Sequence, residues 1–426
     1  MSEPIFIARQ DTLEQEILPA HWLSQYKLFG EESYTFQDKE IWKKLCMSRA
    51  AANDRDMHAE ALEEMLTTFS AEHTGKWMLT VYGMDAAVLE GLASMAAIAA
   101  NGTAMGAVAG NALLMHAIAN SETAMQRIAN SQTAMQRVAN NRGAMDAIGR
   151  SRIARDAVQA SPYYNSYIKE NDMAIAKLAV ALANLESAGY SGMAGVAADS
   201  TAMTAVAASA TAMTAVAASS VARNAISASP YYDTTIKEND MAIAKLVVGF
   251  ANLESARYSG CAGMAADSTA MTAVAASSTA MTAVAASGVA LQAIARAYKN
   301  TANMLKFLQA VNASDTLIKR IYTTLTNATA LFGATQLGGQ DSVDSANSWA
   351  TTSAAPNAFL ACACGYYSSG GSVNVTYNGT VIAQKKTGTS KPNSVTSTSV
   401  NAITMAPSTF TENSDGYLAV QKFTAK

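Results

Sequence analysis

The chain has 426 residues, half of them apolar but only 7% aromatic, because alanine dominates. Alanine offers little area to bury, so thin elements in close contact fit better than one large globular core. Charged residues make up 15%, the net charge is −3 and there is no basic run, which argues against a nucleic-acid partner because phosphate binding needs clustered Lys and Arg.

The cysteines, at 46, 261, 362 and 364, form neither a disulfide framework nor paired Cys-x-x-Cys zinc spacing. Cys362 and Cys364 read as small strand residues facing one side. Met1-Ser-Glu-Pro lacks the basic start and apolar core of a secretory signal. The alanine tracts are broken by Ser, Asn, Thr or a charge too often to give the roughly 18 apolar residues of a membrane span. The expectation is a soluble protein made in a cytoplasm, without membrane insertion, metal or cofactor.

Residues 1–90 differ from everything after them. They hold Trp22, Trp42 and Trp77 of the four tryptophans and His21, His58 and His73 of the four histidines. The spacing predicts a helix entered through 36–42 and another over 53–69, where Ala59, Leu62, Met65 and Leu66 recur at helical intervals. The run from His58 to Glu63 is not the His-Glu-x-x-His of a zinc enzyme and reads as a solvated helix face.

From 91 to about 160 a ten-residue phrase recurs seven times. Methionine falls at 95, 105, 115, 125, 135 and 145, with Arg155 in the seventh slot, and a β-branched residue follows three later each time, from Ile98 to Val158. The clearest copies run from Ser121 to Asn130 and from Ser131 to Asn140. Serine is a good N-cap, alanine and methionine favour helix, and Asn130 and Asn140 are expected to end each helix in the left-handed conformation. Each copy therefore reads as a two-turn helix and a sharp turn. Ala124, Met125, Ile128 and Ala129 share one face, with Glu122, Gln126 and Arg127 opposite.

One long coiled coil is disfavoured. At about 100° per residue a ten-residue step turns the methionine stripe by roughly 80° from copy to copy, whereas a coiled coil needs periods near seven or eleven. Nor can a copy stand alone: ordering it costs roughly 1–2 kcal/mol per residue, and burying one Met and one Ile returns only about 1.5–3 kcal/mol apiece. Copies must stack on neighbours, or on the same surface of other chains.

A second level of repetition follows. Ser161-Pro-Tyr-Tyr164 returns 68 positions later as Ser229-Pro-Tyr-Tyr232, and 168–178 returns as 236–246. Both copies lead into further decads, with Met193, Met203 and Met213 in the first and Cys261, Met271 and Met281 in the second. Proline ends the preceding helix, and the Ser-Pro-Tyr-Tyr sites read as structural joints rather than ligand-stacking platforms. The stretch 171–187 predicts a longer helix, apolar on more than one side, as at the axis of an oligomer.

Over 298–332 longer helices replace the decads, the second capped by Ser314. Beyond Phe332 alternation replaces helical spacing. Asn378-Gly379 between two alternating runs predicts a hairpin over 373–383, and further strands are expected at 358–367, 394–405 and 417–423.

There is no Gly-x-Ser-x-Gly elbow, no glycine-rich phosphate loop and no histidine after His116. The carboxylates beyond 332 are Asp341, Asp344, Glu412 and Asp415, and nothing in their spacing marks the glycosidase pair that a polysaccharide depolymerase would need. The chain is not read as an enzyme. Trp349, Tyr366, Tyr367, Tyr377 and Tyr417, set among Asn, Ser and Gly, are the receptor-contact candidates, each with a place in a small β core as the competing reading.

The decads Ser200-Thr-Ala-Met-Thr-Ala-Val-Ala-Ala and Ser268-Thr-Ala-Met-Thr-Ala-Val-Ala-Ala, the Ser-Pro-Tyr-Tyr joints and the Met-Ala-Ile-Ala-Lys-Leu helices resemble the alanine-rich decapeptide-repeat tail fibre proteins of tailed bacteriophages. The resemblance covers roughly 91–300. It implies a virion protein whose residues 1–90 attach to the phage tail or baseplate. A shaft over 91–160 and two spacer-plus-decad modules, 161–228 and 229–300, would follow, then a helical neck over 301–332. A β-rich tip over 333–426 would meet a bacterial surface glycan, an outer-membrane receptor or another fibre protein. A structural connector, proximal fibre segment or collar or baseplate whisker, binding only other virion proteins, has the same order of parts. The expected fold class is mainly α: an elongated oligomeric fibre of short stacked helices, with an α-rich N-terminal anchor domain and a small all-β C-terminal domain. A homotrimer is expected, because the alanine faces look too thin to make a core within one chain.

Overall fold

The computed structural model describes residues 94–343, 349–350, 357–366, 372–386, 394–406, 408–412 and 416–426, and before residue 94 only Ala59, Leu62, Glu63, Leu66, Tyr82, 84–89, 91 and 92. The expected attachment domain, 1–90, therefore lies almost wholly outside the described residues. The chain divides into two compact units, Met1–Val196 and Ala197–Lys426.

In the first unit a helical turn, α1 (Ala86–Leu89), precedes the array, and each decad is one helix: α2 (Met95–Ala100), α3 (Gly102–Gly110), α4 (Ala112–Ala119), α5 (Glu122–Ala129), α6 (Gln132–Ala139), α7 (Arg142–Arg150) and α8 (Arg152–Ala160). The caps sit where the phrase puts them. Ser121 Oγ accepts the Ala124 N–H at 3.1 Å and Ser131 Oγ the Ala134 N–H at 3.2 Å, and Asn141 Oδ1 does the same for Ala144 at 2.9 Å.

The expected left-handed ends do not form. Asn130 has φ −91°, ψ 3° and Asn140 φ −94°, ψ 2°. The following residue must already be extended to cap the next helix, so the chain turns through an ordinary residue and an extended one. At other corners a single extended residue, such as Asn111 or Ser151, both ends one helix and caps the next. The bend between α3 and α4 is 99°.

Bends of that size bring the chain back on itself after three helices. Accordingly α2 packs on α5, α3 on α6, α4 on α7 and α5 on α8. Met105, Met115, Met125, Met135 and Met145, with Ile98, Val108, Ile118, Ile128, Val138 and Ile148, are fully buried, while Glu122, Gln126 and Arg127 are exposed. Corners stack as well. The hydroxyls of Ser131, Ser151 and Ser161 donate to the carbonyls of Ala99, Ala119 and Ala129 at 2.7, 2.5 and 2.5 Å, each 32 residues back. Burial of the decad faces is thus complete within one chain, and the thin alanine face no longer supplies a reason for three chains.

The Ser-Pro-Tyr-Tyr segment is a joint. Ser161 Oγ accepts the Tyr163 N–H at 3.1 Å, and the short α9 (Tyr164–Tyr167) stands in for one decad helix, so that α10 (Asp172–Leu182) still packs three places back, on α7. Residues 174–181 of α10 are buried on every side inside a single chain rather than at the axis of an oligomer. The helix stops short of the predicted 187 because Asn184, at φ +59°, turns left-handed.

The second unit repeats the scheme. After α11 (Met193–Ala197), which carries the unit boundary, come α12 (Ser200–Ala208), α13 (Ala210–Ala218), α14 (Ser220–Ser227), α15 (Tyr232–Thr235), α16 (Asp240–Phe250), α17 (Cys261–Ala266), α18 (Ser268–Ala276), α19 (Ser278–Ala286) and α20 (Gly288–Arg296). Here α13 packs on α16, α16 on α19 and α17 on α20, and Ser229 Oγ donates to Ala197 O at 2.5 Å. The longer α21 (Thr301–Asn312) and α22 (Asp315–Asn327), the latter capped by Ser314 as expected, continue the stacking on α18 and α19.

Two four-stranded antiparallel sheets complete this unit. One runs in the order β1 (Phe332–Val343), β8 (Gly416–Ala425), β3 (Ala358–Tyr366), β6 (Ala402–Met405), the other β2 (Trp349–Ala350), β7 (Ser408–Glu412), β4 (Ser372–Tyr377), β5 (Thr380–Lys386). The predicted hairpin is β4–β5, with Asn378 at φ +46° and Gly379 at φ +78°, the two positive φ values of a type I′ turn. Cys362 is buried in β3, in keeping with a small strand residue. The strand expected over 394–405 shortens to Ala402–Met405. Ser399 Oγ accepts the Thr396 N–H at 2.8 Å and Thr396 Oγ1 the Ser399 N–H at 3.1 Å, so local side-chain bonds hold a turn instead.

The sheets do not stand off from the helices. Phe307 on α21 lies 6.2 Å from Phe359 on β3, and Tyr322 on α22 meets Phe423 on β8 edge-on at 5.9 Å. One core cluster runs from Ile243 to Ala425.

Candidate binding groove on the second unit

The sequence-predicted contact residues fall in two sheets. Trp349 sits on β2 opposite Phe410, and Tyr377 on β4 opposite Ser408. Tyr366 on β3 and Tyr417 on β8 are one register step apart, opposite Gly416 and Gly365. Tyr367 lies outside the described residues, as does Asp344. Tyr377 is corrected to a core residue: it is 1% exposed, and burial pushes its phenol above the ordinary value. A ring so enclosed offers no face to a ligand.

A groove of about 670 Å³ opens elsewhere, against α22. Two stretches far apart in sequence make it. Lys237 and Glu238 follow α15, while Lys319, Arg320, Thr323 and Thr324 come from successive turns of α22, with Asn327 and Thr329 closing its end. The walls are held by the corner column. Ser287 Oγ donates to Lys237 O at 2.7 Å, and Thr324 Oγ1 donates to Ala285 O at 2.8 Å. Gly288 permits the closure, since a Cβ there would lie 3.0 Å from Ala328 Cβ and 3.1 Å from Leu331 Cδ1.

Three cations therefore face one lining carboxylate. Glu238 accepts the Gly288 N–H at 3.4 Å, and Lys237 has an ion pair with Asp233 at 3.4 Å. Lys319 and Arg320 are exposed and have no carboxylate within 4 Å among the described residues. Nearby, burial and Asp233 push the Tyr232 hydroxyl up to about 12, with Arg320 pulling the other way. The remaining lining is hydroxyl, amide and methyl, with no aromatic ring.

No family model matches this chain, and no curated protein matches it. The groove carries its own chemistry: fixed positive charge beside hydrogen-bonding neutral groups, open to solvent. Sequence reasoning missed it because Lys237 and α22 meet only through the stacking of corners. The adjacent Lys319-Arg320 pair on the polar face of a predicted helix was the one local signal. Among the described residues no three His, Cys, Asp or Glu side chains come together as a metal site would require, and no single helix is long and apolar enough to cross a membrane.

Proposed function

We propose that this chain is a tail fibre component of a bacteriophage virion, anchored to the tail or baseplate through residues 1–90 and adhering to the bacterial surface through its C-terminal part. The observation that carries the reading is the decad array, whose copies stack into a self-supporting helical coil that shares one core with an antiparallel β module. Such a coil sets distance and direction between ends, as nearest-neighbour repeat arrays do. Because each chain buries its own decad faces, a fibre of this kind can be built chain by chain. Association of three chains would use surfaces other than those faces.

Immunogold labelling of virions with antibodies to the full chain, paired with binding of the purified full chain to host cells, tests the proposal. Label on tail fibres and saturable cell binding are expected. Label on fibres without cell binding would favour the connector or whisker role, and an unlabelled virion would overturn both. Sedimentation of the same preparation reads the oligomeric state directly.

A further inference from the structure

We propose that the α22 groove binds a saccharide carrying carboxylate or phosphate groups, an inference that rests on the adhesion reading and names the ligand class for it. Charge comes first. Lys319 and Arg320 project from adjacent positions of α22 and Lys237 from the opposing stretch, so positive charge borders the groove from two sides. The chain as a whole is acidic, at −3, so this is a local concentration and not a share of a general positive surface. Arginine presents a planar fork that holds a carboxylate or phosphate through paired hydrogen bonds.

The neutral lining narrows the class. Thr323, Thr329 and Asn327 supply donors and acceptors to hydroxyl-rich ligands, and no aromatic or large apolar wall invites an apolar one. The volume lies within the usual range of small-molecule sites, which gives room for a short oligosaccharide rather than a lone ion. Three cations are too few for a nucleic acid, whose binding typically engages about 6–10 phosphates along a basic track. The exposed position of Lys319 and Arg320 and the open face of the groove suit one stretch of a longer chain as well as a free end.

Titration calorimetry of the full chain at about 50 mM salt, where charge recognition is least screened, tests this with four probes: trigalacturonate, mannose 6-phosphate, maltotriose and inorganic phosphate. Expected is binding of either acidic sugar at least about tenfold tighter than maltotriose. That binding should be lost in the double variant Lys319→Ala/Arg320→Ala and partly kept in Arg320→Lys, which retains the charge without the fork. Trigalacturonate and mannose 6-phosphate separate carboxylate from phosphate recognition.

Equal binding of maltotriose, inorganic phosphate as tight as the acidic sugars, no binding of any probe, or unchanged affinity in the double variant would each overturn the proposal. Both residues are exposed, so circular dichroism of the variants should match the parent. Cell binding of parent and double variant separates the two claims. A parent that adheres to cells but takes no acidic sugar sinks the groove and leaves adhesion standing. One that takes the sugar and never adheres does the reverse.

Discussion

Lys177 and Lys245 occupy the same place in the two modules, 68 positions apart, and their surroundings differ by one carboxylate. Lys177 is fully buried, with Nζ 2.5 Å from Asp146 Oδ1 and 3.0 Å from Ser187 O, while Ser187 Oγ donates to the same carboxylate oxygen at 3.0 Å. In the second module Thr214 stands where Asp146 stands in the first. Lys245, 2% exposed, has the carbonyls of Ser255 and Ala256 at 2.9 and 3.2 Å, and burial holds its pKa below the ordinary lysine value. Asp146→Ala strands a buried charge and should cost about 3–5 kcal/mol, whereas Lys245→Met should be neutral or stabilising by about 1–2 kcal/mol; urea unfolding measures both. The sign with pH follows. Between the depressed folded pKa and the ordinary one, the unfolded chain binds more protons, so stability rises as pH rises through that window. Lys245→Met should flatten that rise.

The corner serines belong to the same scale. Ser151 Oγ accepts from Ala154 at 3.3 Å and donates to Ala119 O at 2.5 Å, so it is both a cap and a tie. Ser151→Ala should cost about 2–3 kcal/mol, the sum of a lost cap and a stranded carbonyl. Ser151→Asp keeps an acceptor but cannot donate, and should recover none of that loss in the same unfolding assay; full recovery would mean the tie contributes nothing. The cap was legible in the sequence because it is local. The tie was not, since it spans 32 residues.

At the scale of elements, decad helix and spacer helix cross closely in each module, and each crossing has one glycine. In the first, Gly149 of α7 faces Ala181 of α10, and a Cβ at 149 would sit 3.1 Å from the Ala181 Cβ. In the second, Gly249 of α16 faces Ala217 of α13, and a Cβ at 249 would sit 2.3 Å from the Ala217 carbonyl oxygen. Positions 149 and 217 correspond, as do 181 and 249, so the glycine has changed sides while the crossing kept its closeness. Gly249→Ala meets rigid backbone and should lose about 3 kcal/mol. Gly149→Ala meets a methyl and a hydroxyl, and should lose about 1–2 kcal/mol. The order of the two melting temperatures is the test. Helix length, face and cap were readable from the decad phrase. The 99° corner was not, because it depends on extended residues such as Asn111, whose caps the phrase mistook at 130 and 140 for left-handed ends.

For the whole molecule, the β module depends on the helices beneath it. Asn312 Nδ2 donates to Ile403 O at 2.7 Å and its Oδ1 accepts the Ile403 N–H at 3.1 Å, so one buried side chain completes the edge of β6. Asn312→Ala should destabilise by about 2–4 kcal/mol, two buried backbone groups being left without it. Residues 333–426 expressed alone should show no cooperative thermal transition by circular dichroism, since Phe359 and Phe423 would lose Phe307 and Tyr322. A sharp transition in that fragment would show an autonomous domain. The hairpin was legible through Asn378-Gly379, but the dependence on α21 and α22 was not, because no periodicity records which face of a sheet a preceding helix covers.

The three-helix turn also sets a rule for how such a chain changes length. Adding or losing one decad re-aims whatever follows by about 100°, the angle of a corner, whereas three decads restore the original heading. The 68-residue repeat, from the start of α10 to the start of α16, contains six helices, two turns' worth. A duplication of that size gives each helix the kind of partner it had before, as α16 on α13 matches α10 on α7. Length can then evolve in whole turns without redirecting what the chain carries at its end.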